Sequence, residues 1–500
     1  MVGVAGKSRG CNTCRKRKIA CDQQRPFCAK CTSSNRVCGG YQKDTVFVLV
    51  QPAAKKTHTF LRPSASPQSG TERTELESAI SSPATVVRGN ESTHSFTETS
   101  FAYSIMHRRI ECQNLIQAFL LNCFPFHWPP TSQSWIPLLA ELPTKIQALE
   151  MSSAAVAASA MGHMLNDQAL VKQGLNYYIQ GLQHLQNALW DPSLMREDGT
   201  LAACMALSLY EALECPNLGS EGYFNHCRGI IALIQSRGHE MHSSGVGHRL
   251  FLGVRLPGIL FSLNHHTSTI FFESTWMEQP WAEIPKTCHD QVTDCLAQAP
   301  VILERVRSLP YLPKSQQLDL LQRLIHECWR IDKQLDVIYD EMRSQDLYWR
   351  VPSRTPLFSD LFPVVFCFRD AQVAATLVLL WATRTMLWSG LSNMYQHLEI
   401  INPENSCGVA ESDQGLVLEF EGSGRCGGYL SVAHQVCQSV EYFLKDDMLL
   451  AGPLSVSPAL GIVLDSLRNR PGHGREIEWI QSALEVVRRR GPRVVQDVNL

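Results

Sequence analysis

Residues 11–38 read CNTCRKRKIACDQQRPFCAKCTSSNRVC, and the order of their cysteines decides how the chain is understood. The spacing is Cys11-x2-Cys14-x6-Cys21-x6-Cys28-x2-Cys31-x6-Cys38, two CxxC pairs each followed after six residues by a third cysteine. Zinc takes four tetrahedral ligands, with thiolate sulfur at about 2.3 Å. Six cysteines cannot close two separate four-coordinate sites, but they can if two thiolates are shared between the metals. A CxxC at a helix start clamps one metal, and the third cysteine closes the loop. A generic zinc ribbon, or cysteines without metal, is the bland alternative; six matched ligands are far more specific than a single CxxC.

Outward from the cysteines, charge is unevenly spread. Between Met1 and Lys43 ten lysines and arginines face one acid, Asp22, so this head carries +9 while the whole chain carries −2. A basic head on a mildly acidic body is the asymmetry expected when one end meets phosphates. The opening residues MVGVAGKSRG hold no apolar run of signal-peptide length, which predicts a reducing compartment where clustered cysteines favour metal over disulfides. The other twelve cysteines, Cys112, Cys204, Cys328 and Cys437 among them, stand singly among apolar residues and read as small buried hydrophobes.

Ligand for ligand, the spacing resembles the fungal Zn2Cys6 binuclear cluster, and Pro26 sits where that family has its loop proline. The resemblance implies two structural Zn2+ ions, with Cys11 and Cys28 bridging both, Cys14 and Cys21 completing one site, and Cys31 and Cys38 the other. It also implies a double-stranded DNA partner with CGG-type triplets. The family's base-reading lysine falls on Lys18, with Arg17 beside it, while Arg15, Lys16 and Arg9 are expected on phosphates. A helix opening at the first CxxC would carry Arg15 to Lys18 on its exposed turn, its N-terminal end pointing into the major groove. With six thiolates and two zinc ions the folded head carries about +7, which predicts salt-sensitive binding. A solvated charge or a nuclear-import signal is the bland reading of each base.

The remainder divides by composition. Lys43 to Gln51 reads as a brief extended segment. Gln51 to Ser100 holds 17 Ser or Thr and four Pro, which marks a disordered linker across 44–100. From Phe101 the periodicity is helical, with stretches at Phe101–Phe124, Gln168–Trp190, Thr200–Cys215, Gly222–Ser236, Gln316–Arg343, Val364–Tyr395, Gly428–Lys445 and Ile477–Arg490. The expected fold is mostly α: a Zn2Cys6 module at 8–43, the linker, and an all-α regulatory domain at 101–500. No membrane span is expected, since Gln372 and Arg384 interrupt the most apolar stretch, Ala371–Trp388. A heptad at Leu321, Leu324, Cys328, Ile331, Leu335, Ile338 and Met342 fits either a dimerisation helix or, with more weight, a core helix. His239, His242 and His248 fit a polar loop better than a second metal site. Glu411, Asp413, Glu419 and Glu421, mixed with apolar residues, fit a surface loop better than an activation patch.

Leu201–Gly238, with Leu-Ala-Ala…Tyr-Glu and then His-x-x-Gly…Leu-Ile-x-x-Arg-Gly, resembles the fungal-specific transcription factor domain, as does Glu476–Arg490 its closing helix. Together these resemblances imply a nuclear regulator of RNA polymerase II genes, of metabolic or secondary-metabolite clusters. They leave activation or repression, and monomer or homodimer, open; partners in the transcription machinery or among co-regulators are implied. The alternative is a helical ligand- or partner-binding regulator in which DNA binding is secondary. The absence of Walker and H-E-x-x-H motifs predicts no enzyme, and hence no catalytic residues.

Overall fold

The computed structural model describes residues 11–22, 28–34, 36 and 38 of the head, and 93–124, 135–142, 146–214, 220–343, 346–356, 360–401, 423–468 and 470–493 of the remainder. The chain divides into two compact units, Met1–Gly89 and Asn90–Leu500. Residues 44–92, most of the segment assigned to a linker, lie outside the described residues, as does the extended segment at 43–51. Helix Thr93–Cys123 begins inside that segment, ahead of the boundary at 100.

The second unit is a stack of helices on one continuous apolar core. At the centre of its first half is Gln147–Met164, which buries fourteen of its eighteen residues and packs against Thr93–Cys123, Gln168–Trp190 and Asp198–Glu214. Its sequence, QALEMSSAAVAASAMGHM, is small-residue rich, so neighbours approach its backbone closely. Gly174 and Gly181 on the next helix make that approach possible: a Cβ would stand 3.1 Å from the Ser159 nitrogen at the first and 3.3 Å from the Ser152 nitrogen at the second.

The second half is arranged around Ala371–Ile401, apolar on all sides and packed against Cys288–Ala297, Lys314–Met342, Tyr429–Phe443 and Ala451–Arg468. Arg384, which interrupts its apolar run, is buried with a partner. Its Nε donates to Asp332 Oδ1 at 2.8 Å, its Nη2 to Asp336 at 2.6 Å, and Trp388 Nε1 donates to Asp332 at 3.0 Å. The heptad on Lys314–Met342 resolves as core: Leu321, Leu324, Cys328, Ile331, Leu335 and Ile338 are buried within this chain, with Met342 packed at the edge. That face is used up and provides no dimer seam.

One expected helix is corrected. Val364–Phe368 is a strand, paired antiparallel with Tyr348–Pro352 in the register Tyr348↔Phe368 to Pro352↔Val364. The run VVFCF is β-branched and aromatic, and Asp370 then opens the helix by accepting the Val373 N–H at 2.8 Å. Strand and helix therefore meet at Arg369-Asp370, inside a stretch expected to be one helix. Among the described residues, Gly245–His265 is the one helix long and apolar enough to cross a membrane, and 67% of its most apolar window is buried in the fold.

Candidate metal centre and nucleic-acid interface

In the head, two short helices, Asn12–Lys16 and Ala29–Thr32, each begin at a CxxC. The two halves repeat one local device: the Cys14 N–H donates to Cys11 Sγ and the Cys31 N–H to Cys28 Sγ, both at 3.3 Å. The leading sulfur of each pair thus caps its own helix and is held pointing inward. Cys11 N–H donates to Cys21 Sγ at 3.4 Å, bringing the third cysteine of the first half back to its start.

The sulfurs converge. Cys11, Cys14, Cys21 and Cys28 form one group and Cys11, Cys28, Cys31 and Cys38 another, every ligand atom within 4.8 Å of the others in its group. Cys11 and Cys28 stand in both groups, their sulfurs 3.6 Å apart. Cys14 Sγ lies 3.7 Å from Cys28 Sγ. A tetrahedron with metal–sulfur bonds of about 2.3 Å has edges of about 3.8 Å, so the spacing suits a shared metal cluster; disulfide sulfurs would be about 2.05 Å apart. Burial and the neighbouring Cys11 push the Cys14 thiol up to about 12, and burial raises Cys28 in the same direction. Packed thiolates therefore require cationic charge among them, and two Zn2+ supply it.

Asn12–Lys16 does not hold all four bases on one helical turn, contrary to expectation. The helix stops at Lys16, and Arg17 and Lys18 form the turn that ends it. The reason is reach: helix continued to Cys21 would carry that cysteine about 10 Å beyond Cys14, away from the metal. The reversal is closed by Ile19 N–H to Cys14 O at 3.1 Å, and Lys18 takes the left-handed conformation, φ 53°. The N-terminal end of the helix, expected to face the groove, is the end at the cysteine cluster. That end is tied to the sulfurs, and the exposed bases Lys16, Arg17 and Lys18 gather at the C-terminal end, where positive charge also complements the helix dipole. The Arg15 backbone lies in the helix; its side chain, and all of Arg9, fall outside the described residues. Asp22 was not singled out by sequence, its only signal being that it is the head's sole acid. Its carboxylate accepts the Ala29 N–H at 2.9 Å and so joins the two halves.

Elsewhere, the histidine turn departs from a polar loop, and its histidines are not among the groups of described residues that could hold a metal ion. His242 and His248 are buried, with His242 Nδ1 against Gly247 O and His248 Nδ1 against His242 O, both at 3.0 Å. His242 stacks near Phe251 and Trp276, and burial pushes it down to about 4. The acidic segment at 411–421 lies outside the described residues.

Residues 9–45 match the fungal Zn(2)-Cys(6) binuclear cluster domain, and residues 114–254 match the fungal specific transcription factor domain. The second match contains Leu201–Gly238 and stops short of Glu476–Arg490. Among curated proteins, the chain is similar to the transcriptional regulatory protein moc3 of Schizosaccharomyces pombe, 59% identical over 32 residues, 6% of either chain. It is similar to the aspercryptin biosynthesis cluster-specific transcription regulator atnN of Emericella nidulans, 54% identical over 39 residues, 8% of this chain and 6% of that one. An uncharacterized protein of Emericella nidulans is 21% identical over 192 residues, 36% of this chain and 41% of its own, a stretch too long to lie in the head alone. The matches to the first two thus span only 6% of those relatives' lengths. No solved structure matches. Cysteine geometry and both domain matches agree that this chain joins a fungal Zn(2)-Cys(6) binuclear cluster domain, which takes two zinc ions, to a fungal specific transcription factor domain, as fungal zinc-cluster transcription regulators do.

Proposed function

We propose that the protein is a sequence-specific DNA-binding transcription regulator whose zinc head reads CGG-type triplets. The observation that carries this reading is the juxtaposition, on one short segment, of a closed sulfur cluster and an exposed basic turn. Cys11 and Cys28, which stand in both sulfur groups, would be shared by two zinc ions, with Cys14 and Cys21 holding one and Cys31 and Cys38 the other. Every ligand is a thiolate and no position is left open, so the zinc is structural. It sets the base of a turn on which Lys18 projects.

Lys18 meets guanine O6 and N7, with Arg17 adjacent; Arg15, Lys16 and Arg9 hold phosphates. Stoichiometry on DNA, monomer or homodimer, is set outside the helix Lys314–Met342, whose apolar face is internal. The protein acts in the nucleus on RNA polymerase II genes, through co-regulators that meet the helical domain. Control of a metabolic or secondary-metabolite gene cluster fits the printed role of the aspercryptin regulator. This is a regulatory, not an enzymatic, reading.

The test is binding of the full zinc-loaded chain to duplexes with one CGG, two CGGs or none, across a salt series, for wild type and Lys18→Ala. CGG-selective binding lost on chelation and weakened in the variant supports the reading. Binding that ignores the triplet and only follows salt would reduce the head to a nonspecific basic module.

A further inference from the structure

The second unit holds a half-open pocket of about 160 Å3 between helices Asp198–Glu214, Glu221–Arg237, Gly245–His265 and Ala451–Arg468. Two of these helices carry a proline in their interior, Pro257 and Pro458, and both prolines line the cavity. Interior proline is costly in a helix because it supplies no N–H to the carbonyl four residues earlier. Those carbonyls belong to Gly253 and Leu454, and both residues line the same cavity. Two helices from distant parts of the chain thus each bring to one wall a proline and the residue whose carbonyl it leaves without a helical donor.

The rest of the wall defines what could enter. No Asp, Glu, Lys, Arg or His is among the described residues that line it. Burial pushes the lining Cys227 thiol up to about 12, so it is neutral. The wall is predominantly apolar, with the Trp135 ring packed directly on Gly253, where a Cβ would stand 2.2 Å from Cδ1. A cavity of roughly this size (about 150 Å3) lined by apolar side chains accepts a benzene-sized guest.

We propose that this cavity is a ligand site for a small, uncharged, largely apolar ring compound carrying a hydrogen-bond donor, which the Gly253 or Leu454 carbonyl accepts. The cavity lies wholly in the second unit, so the proposal stands apart from the DNA-reading role of the head. Ser208, Tyr223 and Ser457 also line the wall, and replacing the two prolines distinguishes a main-chain contact from one to their hydroxyls.

The test titrates full-length, zinc-loaded protein with indole, with its isostere indene, which lacks the N–H, and with indole-3-carboxylate, by isothermal titration calorimetry. Indole should bind, indene about fivefold to tenfold more weakly for want of one neutral hydrogen bond, and the carboxylate not at all. Ala212→Phe, which fills the cavity from the Asp198–Glu214 helix, should abolish binding of both neutral probes. The double replacement Pro257→Ala/Pro458→Ala restores both helical N–H donors and should bring the ratio of indole to indene affinity to about one, whatever the trimmed wall does to both probes together. Circular dichroism and thermal unfolding establish that the variants remain folded. Should Ala212→Phe unfold, the proline variant carries the test, since alanine favours a helix. The proposal is overturned by any of three results: no binding of indole to wild type at millimolar concentration, equal binding of indole and indene, or indole binding unmoved in both folded variants.

Discussion

The head and the helical unit reach a fixed structure by different physics. Among its described residues the head buries five cysteines, with Cys21 half-buried beside them, and no aliphatic or aromatic side chain. The helical unit buries a continuous apolar core from Cys112 to Val487, which tolerates apolar substitutions that conserve volume. In the head, metal binding free energy is folding free energy, so loss of one bridging sulfur removes everything at once. In the body, stability is spread over many small terms, and the large single terms are buried charges.

The strongest way to break this contrast is at Cys28, which belongs to both sulfur groups. Cys28→Ser should abolish both zinc sites, whereas Cys38→Ser should retain one zinc per chain, as read by elemental analysis. Specific DNA affinity should fall by about a thousandfold in Cys28→Ser, the usual gap between specific and nonspecific binding. Thermal unfolding of the helical unit should stay within about 0.5 kcal/mol of wild type. A body that melts with the head would mean that the two units are not energetically separate.

The converse experiment acts on the body alone. Asp332 is fully buried and serves Arg384 and Trp388 together. Asp332→Ala leaves the Arg384 charge without its main partner and should cost about 3–5 kcal/mol in urea unfolding of the helical unit. Zinc content and CGG binding should be unchanged. A cost below about 1 kcal/mol would show that Asp336 alone suffices for Arg384.

How far each unit could be read in advance follows from the same contrast. Cysteine spacing alone implied a cluster with two shared thiolates; that the shared pair is Cys11 and Cys28 came only from the family resemblance. The end of the helix at Lys16 was not, because it is dictated by the return of Cys21 to the cluster and not by local propensity. In the body, amphipathic helices such as Gln168–Trp190 carry the 3.6 period and were found with their bounds. Gln147–Met164 and Ala451–Arg468 are buried on nearly every side, so they carry no such period and were missed. Arg384 was read only as a break in an apolar run; its partner, Asp332, lies 52 residues away.

A pH series sharpens the comparison at intermediate scale. His242, with Arg237, Asp198 and His248 around it, is held neutral by burial, near 4 against an ordinary 6.5. The unfolded chain therefore binds its proton more readily. Stability from this group is complete above about 6.5 and is lost as pH falls toward 4, by up to about 3 kcal/mol. His226, also pushed down to about 4, acts in the same direction, while Glu211, raised by burial, opposes it. His242→Asn, which can still donate to the Gly247 carbonyl, should flatten the fall in urea midpoint between pH 6.5 and 4.5. An unchanged slope would mean that His242 is protonated in the folded protein.

The smallest expected effect separates the head's stability from its function at a single residue. Lys18 adopts φ 53°, a conformation that costs an L-residue about 1 kcal/mol and glycine almost nothing. Lys18→Gly should therefore tighten zinc retention against a competing chelator by about fivefold, the equivalent of that strain. The same change removes the ammonium group proposed to read guanine, and CGG affinity should fall by about tenfold to a hundredfold. Stability and binding moving in opposite directions is the outcome that distinguishes a residue kept for what it touches from one kept for the turn it makes. If Lys18→Gly improves zinc retention and leaves CGG selectivity intact, the lysine is only a tolerated turn residue, and the reading role passes to Arg17 or Lys16. If it weakens zinc retention, the left-handed turn is stabilised by the lysine side chain itself, and the strain argument fails while the cluster geometry stands.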